Sequence, residues 1–496
     1  MKSKLSIIGE PSGGESCCSS GVSMNVQEHD YAVEPQSFQG RAAVITLGCA
    51  KNQVDSEVML GVLKNSGYEI VTDVSTADVA IINTCGFLES AIKESIDCIL
   101  DVAEYKQSGR LRKLIVAGCL VERYKGDIKA ELPEVDEFLA IDDVLKVSEA
   151  AAGTLRNTLD SAARPYFLYD DNMPRYLASK RHTAYVKISE GCNRPCTFCI
   201  IPKIRGGMRS RTLESVVREV VSLGEQGVRE VNLVAQDLTS YGTDLKGPNL
   251  AKLLQSLDAS KAVDWVRILY SYPIGIDEEL LDTIAASSHV CKYLDLPLQH
   301  SSEAVLKEMK RPLGRYSPRK VTEFIKSRHP SIHMRTTFIV GFPGETEADV
   351  ADLEQFILEG HFSSVGIFTY SPEPGTPSHD MTGQVAEEEK KARRERLMLA
   401  QQSVVEKRLH SYVGTQLRVL VEGEHEETEL LLTGRAEFQA PDVDGIVILN
   451  DSDCDLATVQ PGDFVQVEIT EVAGYDLVGK VKSAERTQSI ELHEHI

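Results

Sequence analysis

Ser189-Glu190-Gly191-Cys192-Asn193-Arg194-Pro195-Cys196-Thr197-Phe198-Cys199 follows directly on the strand-like run Ala184-Tyr185-Val186-Lys187-Ile188. A strand that delivers three cysteines on one short loop decides how the middle of the chain is read. Three thiols at CxxxCxxC spacing suit three irons of a 4Fe–4S cluster. No fourth ligand stands in the segment, so one iron would stay open to a small molecule. Zinc is the competing reading, but structural zinc sites take four ligands, commonly as paired CxxC.

Outward from this loop, strand candidates recur at 184–188, 230–235, 266–270, 293–296, 334–340 and 365–370, separated by helical patterns such as 213–226 and 318–329. Repeated βα units over this length predict a full or partial (β/α) barrel, with chemistry at the C-terminal strand ends, where the cysteine loop lies. Before it, 41–152 alternates apolar runs (42–47, 79–82, 114–117) with helical patterns (56–65, 88–105), the signature of a doubly wound parallel sheet. After it, 387–410 reads as a charged, solvated connector helix. Short β-type runs at 416–422, 430–432, 445–449, 464–470 and 477–481 then predict a small β-barrel. The expected division is a disordered tail (1–40), an α/β domain (41–152), a linker (153–180), a (β/α) barrel with its connector helix (181–410), a β-barrel (411–482) and a tail (483–496). The fold class is thus α/β, multidomain.

Hydrophobic residues make up 42% and charged residues 26% of the 496, as in soluble globular chains. No run of about 18 apolar residues occurs, and the N-terminal apolar stretch is short for a secretory signal. A cytoplasmic location without membrane contact is expected. There the eleven cysteines would be thiols or metal ligands rather than disulfides. The formal net charge of −22 argues against a general nucleic-acid binder and favours a basic partner.

A second trio is dispersed. Cys49, Cys85 and Cys119 each stand just past a predicted parallel strand, beside Gly48, Gly86 and Gly118. In an open α/β sheet those strand ends share one edge, where ligands bind. The arrangement predicts a second three-thiolate cluster with one open iron. Cys98, Cys291 and Cys454 read as core or surface thiols, and Cys17 and Cys18 fall in the polar tail with no role assigned.

The segments Thr46-Leu47-Gly48-Cys49-Ala50-Lys51-Asn52, Ile82-Asn83-Thr84-Cys85-Gly86-Phe87, Gly118-Cys119-Leu120-Val121-Glu122-Arg123-Tyr124, Cys196-Thr197-Phe198-Cys199-Ile200-Ile201-Pro202, Asp295-Leu296-Pro297-Leu298-Gln299-His300 and Gly341-Phe342-Pro343-Gly344-Glu345-Thr346 together resemble the radical-SAM methylthiotransferase family. The resemblance spans residues 41 to about 480. It implies an N-terminal cluster domain, a radical-SAM (β/α) barrel and a TRAM-type C-terminal β-barrel. It also implies two 4Fe–4S clusters and S-adenosylmethionine (SAM) as cofactors.

One branch of that family modifies an adenosine of tRNA; the other modifies the β-carbon of one aspartate of ribosomal protein S12. Ala50-Lys51 and Gln236-Asp237 resemble the ribosomal branch, with tRNA as the alternative substrate. From residue 411 onward 18 acidic residues face 5 basic ones, a net −13 that suits a basic ribosomal protein better than RNA phosphates, although it also serves solubility.

By the family's chemistry, one SAM yields a radical that takes hydrogen from the substrate. Sulfur then arrives from the auxiliary cluster, and a second SAM gives the methyl group. An electron donor and a sulfur source are implied partners. Cys192, Cys196 and Cys199 would hold the SAM cluster, and Cys49, Cys85 and Cys119 the auxiliary one. Phe198, Gln236, Arg335, Gly341 and Glu345 are SAM-pocket candidates. For them the open alternatives are loop packing for Phe198, a salt bridge for Arg335 and a tight turn for Gly341 and Gly344. Asp55 and Glu57 could equally be charges near a helix N-terminus, and His300 reads as structural.

Overall fold

A computed structural model of the chain describes residues 38–156, 165–178, 180–425 and 427–485. The readings for Cys17, Cys18 and most of both tails lie outside the described residues. Among the described residues no helix is long and apolar enough to cross a membrane.

β1 (Gly40–Thr46), β2 (Tyr68–Ile70), β3 (Val79–Thr84), β4 (Lys113–Gly118) and β5 (Glu137–Leu139) form a parallel sheet in the order β2-β1-β3-β4-β5. Helices cover both faces, so β3 is buried at every residue, which is why it reads as an unbroken apolar run. The winding reverses between β1 and β3, which opens a crevice at their C-terminal ends. β2 and β5 are three residues each, too short to carry a pattern, and the sequence reading misses them.

β6 (Thr183–Lys187) begins the barrel. The short β7 (Ser189–Glu190) and β8 (Arg209–Ser210) pair antiparallel and close the cysteine loop at its base. β9 (Glu230–Val234) and β10 (Trp265–Ile268) extend one parallel sheet from β6. β11 (Tyr293–Asp295), β12 (His333–Val340) and β13 (Ser364–Thr369) form a second. A parallel bridge between Val266 and Val290 joins them. The result is a six-stranded partial barrel, with β6 and β13 as its edges. Outer helices pack Val220, Leu254, Leu281, Ile325 and Leu353 onto Val186, Leu233, Ile268, Leu294 and Phe338. Several start on side-chain caps: Thr212, Asn249, Asp277, and Thr346 with Asp349 in a capping box.

β14 (Gln416–His425), β15 (Thr428–Ala436), β16 (Val447–Ser452), β17 (Phe464–Ala473) and β18 (Asp476–Glu485) close into a barrel in the order β14-β15-β16-β18-β17. β18 runs past the boundary expected at 482.

The helix Glu387–His410 corrects the solvated-connector reading. Lys390, Arg393, Leu397, Gln401, Val405 and Leu409 form a buried stripe. Leu397 belongs to the core of the partial barrel, Val405 and Leu409 to that of the β-barrel, so one helix joins two cores. The stretch 165–178, expected as a linker, is a packed strap. Tyr169 is buried and donates to Glu219, and Arg175 bridges Glu57 (2.6 Å) and Glu219 (2.5 Å).

The β15–β16 loop enters the N-terminal end of the partial barrel. Asp442 and Asp444 accept from the hydroxyls of Tyr185 (2.9 Å) and Tyr293 (2.7 Å). Glu230 is buried between Arg267 (2.8 Å) and Arg435. The floor of the barrel is therefore closed by the C-terminal domain, and its open mouth faces the N-terminal sheet.

Candidate active site

Cys49 precedes the helix Ala50–Asn65 directly, Cys85 follows β3, and Cys119 opens the short helix Cys119–Arg123 after β4. β3 pairs with both β1 and β4, so the three residues leave neighbouring strands on one edge. The loops approach too closely for side chains on the flanking glycines. A Cβ on Gly48, at φ +94°, would lie 2.8 Å from the Cys85 Cβ. Asn52, fully buried, donates to the carbonyls of Leu47 (2.9 Å) and Thr84 (3.0 Å), and Asn83 donates to Asn52 O (2.8 Å). These two asparagines tie the first two cysteine loops together. The sequence reading quoted them inside motifs and gave them no role.

Burial raises the Cys49 thiol, but Lys51, Arg205 and backbone N–H groups outweigh it and the pKa falls. Burial pushes Cys85 up to about 12 and raises Cys119 as well.

The second trio is compact by sequence. Its loop is pinned by Cys192 N–H to Gly206 O (3.1 Å) and by Gly191, where a Cβ would fall 2.2 Å from Gly207 O. The Arg194 N–H reaches Cys192 Sγ (3.4 Å), and Arg311 Nη1 lies 3.6 Å from Cys196 Sγ. Burial pushes Cys192 up to about 11 and Cys199 up to about 12. Metal loading would have to displace their protons.

A dry, charged layer separates the trios. Arg205 pairs with Asp55 (2.9 Å) and Glu190 (3.1 Å), donates to Asn52, and places Nη2 3.3 Å from Cys119 Sγ. Lys187 pairs with the same two carboxylates. Burial opposes the charge on Glu190, yet Lys187 and Arg205 hold its carboxyl down to about 2. Beside this layer Ile200 and Ile204 pack on Cys119, Ile141 and Phe87. Asp55 is thus an interdomain ion-pair partner, and Glu57 anchors the strap; neither acts merely as a helix-terminal charge. Lys187, Glu190 and Arg205 were not singled out in the sequence, because each is one charge in a strand or loop until the domains meet.

The SAM-pocket candidates divide. Gln236, just past β9, donates to Glu190, and its Oε1 is buried without a partner among the described residues. Phe198 packs in a cluster with Met309, Phe342 and Tyr370. Arg335 is occupied by Asp295 (3.0 Å) and lies 3.7 Å from Asp444, toward the barrel floor. Glu345 accepts from Gly341 N–H (2.8 Å) and pairs with Arg393 (2.8 Å), so these two residues build a turn against the helix Glu387–His410. His300 is fully buried and its Nδ1 accepts the N–H groups of Ser301 and Ser302, while its Nε2 has no hydrogen-bond partner among the described residues. Cys98 and Cys291 lie in apolar cores, and Cys454 packs at the edge of a third.

The residues present fit the groups the resemblance implies. Each trio offers sulfur donors beside cations and backbone N–H groups. Gln236 Oε1, Ser271 Oγ and Gln299 Oε1 are buried polar atoms with no partner among the described residues, at the ends of adjacent barrel strands, where a polar cofactor would satisfy them. Tyr270 (φ +64°) and Gln299 (φ +75°) are non-glycine residues in the left-handed region there, a strain typical of ligand sites. Among the described residues no three His, Cys, Asp or Glu side chains close on one metal ion. A cluster, by contrast, spreads its thiolates over several irons. A surface cleft of about 440 Å³ beside the strap, lined by Lys64, Tyr169 and Arg218, contains none of the six cysteines.

Family models match three segments: the uncharacterized protein family UPF0004 at 41–140, the radical SAM superfamily at 186–357 and the TRAM domain at 413–481. The chain is similar to the ribosomal protein uS12 methylthiotransferase RimO of Anaeromyxobacter sp. (strain Fw109-5), 46% identical over 442 residues, covering 89% of this chain and 93% of that one. The same-named protein of Geobacter sulfurreducens is 45% identical over 446 residues, covering 89% and 99%. Among solved structures, the radical S-adenosylmethionine methyltransferase TsrM of Kitasatospora setae shares the fold at a TM-score of 0.50 and 14% identity, over 68% of this chain and 74% of that one. Similarity of this extent to the curated relatives, with all three domain types in order, shows that the chain belongs to the ribosomal protein uS12 methylthiotransferase (RimO) family of radical-SAM enzymes.

Proposed function

We propose that this radical-SAM methylthiotransferase converts one aspartate of ribosomal protein uS12 to its 3-methylthio derivative, with Cys192, Cys196 and Cys199 holding one 4Fe–4S cluster and Cys49, Cys85 and Cys119 a second. The observation that supports the reading is Arg205. It touches Cys119 of one trio and Glu190, two residues before Cys192 of the other, so one buried side chain links the two cysteine loops. When bound, the two clusters supply the single electron that cleaves SAM and the sulfur that enters the substrate.

The chain's own residues do the rest. Arg194 N–H and Arg311 offset negative charge on the Cys192 loop. Asn52 and Asn83 fix the first two auxiliary cysteine loops. Phe87, Ile200 and Ile204 exclude water beside Cys119. Gln236, Ser271 and Gln299 supply hydrogen-bonding atoms for SAM.

The test joins iron analysis to mass spectrometry. Reconstituted protein should hold about eight irons, and replacing either trio by alanine should remove about four. uS12 from a deletion strain should lack the added methylthio group and regain it with the wild-type gene. Four irons in the intact protein would remove the auxiliary cluster. A lost methylthio group on tRNA, with uS12 still modified, would refute the substrate.

A further inference from the structure

We infer that Lys51 is the receptor for the carboxylate of the substrate aspartate and sets the selectivity for an acidic side chain. The inference rests on the proposed uS12 reaction.

Lys51 is 8% exposed, and its ammonium lies 3.5 Å from the centroid of the Tyr270 ring. Among the described residues it makes no ion pair. Its neighbours Lys187 and Arg205 are each paired with both Asp55 and Glu190. Lys51 is the one of these three cations with no carboxylate at ion-pair distance, although the Cys49 thiol and the Glu190 carboxylate act on its charge from farther off. A buried ammonium with no carboxylate in direct contact is stabilised further by one that arrives to pair with it.

Its place in the chain adds a second cost. Lys51 is the second residue of the helix Ala50–Asn65, where the helix dipole disfavours a cation, and no acidic residue in that turn offsets it. The ring beneath it is held under strain. Tyr270 sits at φ +64°, with its N–H on Asp295 Oδ2 (2.9 Å) and its carbonyl accepting from Leu238 N–H (3.1 Å).

The location suits the reaction. Lys51 is two residues from Cys49. Two residues beyond Tyr270, the Tyr272 ring lies 4.1 Å from the Arg311 guanidinium, which approaches Cys196 Sγ. The segment 270–272 therefore spans both cysteine loops, and a group held at Lys51 lies between them. In aspartate the β-carbon is bonded to the carboxylate carbon. Anchoring the carboxylate by a charge-assisted hydrogen bond fixes the C–H to be replaced.

Two other roles are conceivable for this ammonium: pairing with the carboxylate of SAM, or balancing the Cys49 thiolate. Reconstituted wild-type, Lys51→Met and Lys51→Arg enzymes separate them, assayed with uS12 and with uS12 carrying Asn at the target position. For the receptor role, K51M weakens uS12 binding and raises its KM at least tenfold, while iron content and SAM affinity hold. K51R recovers part of the loss. The Asn form of uS12 binds wild type and K51M alike. Weakened SAM binding in K51M, loss of about four irons, or equal loss for the Asp and Asn forms would each overturn the inference. Failure of wild-type enzyme to modify uS12 would refute the proposed function and this inference with it. A modified uS12 whose binding is indifferent to Lys51 refutes the inference alone.

Discussion

Arg205→Met is the substitution most able to expose the logic of the interdomain layer. The guanidinium is 2% exposed and faces Asp55 at 2.9 Å and Glu190 at 3.1 Å, with Lys187 as the other cation on the same pair. Methionine fills comparable volume, so the main loss is electrostatic: two buried carboxylates keep one lysine, Lys187, in direct contact, with Lys51 acting on Glu190 only from farther off. Breaking a buried pair on one side costs about 3–5 kcal/mol, and each 1.4 kcal/mol is tenfold in an equilibrium. Lys187 still serves both carboxylates, which favours the lower figure, about 3 kcal/mol or two decades.

The assay is hydrogen exchange of the amides in the helix Ala50–Asn65, which carries Asn52 and Asp55 across the interface. Their exchange should accelerate about a hundredfold while the amides of β17 and β18 stay unchanged. Adding Asp55→Asn restores charge balance with Lys187 and Glu190 still paired, and should recover at least one decade. Acceleration of less than tenfold in the single variant, or a double variant no better than the single, would refute the reasoning.

Two further outcomes follow from local geometry. Gly191→Ala puts a Cβ 2.2 Å from Gly207 O at φ +81°, so it should displace Cys192 and remove about four irons while the Cys49 trio keeps its own; full iron content would contradict this. His333 packs face to face with Phe438 of the C-terminal domain (4.9 Å), and burial with nearby Arg408 and Lys326 lowers its pKa from 6.5 to about 4. Its folded-state pKa is depressed, so the associated stability, about 3 kcal/mol at most, is present above pH 6.5 and lost as pH falls through 4. His333→Phe keeps the stacking and should flatten the fall in melting temperature between pH 6.5 and 4.5; an unchanged profile would rule His333 out as the cause.

Long, buried elements were legible because their pattern is local. β3 reads as an apolar run since both faces are covered, and the six barrel strands recur at βα spacing. The three-residue β2 and β5 carry too little pattern to be seen. The helix Glu387–His410 misleads for a different reason: the ammonium and guanidinium groups of Lys390 and Arg393 find partners on neighbouring elements, so a charged composition hides a buried stripe. Arg335, read as facing the barrel interior toward SAM or as a salt-bridge residue, pairs with Asp295, and Glu345, read from its strand-end position as a SAM contact, pairs with Arg393.

By itself the sequence determined the order of three domains and the family, and it marked the six cysteines proposed as cluster ligands. Cysteine spacing and strand periodicity are properties of neighbours along the chain. Only the tertiary structure decided that Asn52, Asp55, Lys187, Glu190 and Arg205 form one buried network between the loops of Cys119 and Cys192. It also decided that the C-terminal domain plugs the barrel floor and that Lys51 lies over the Tyr270 ring with no ion pair among the described residues. Those facts depend on which charges lack a partner once residues more than a hundred positions apart are packed together. Counter-ion balance in a dry interior is a property of the assembled interface and of no single segment.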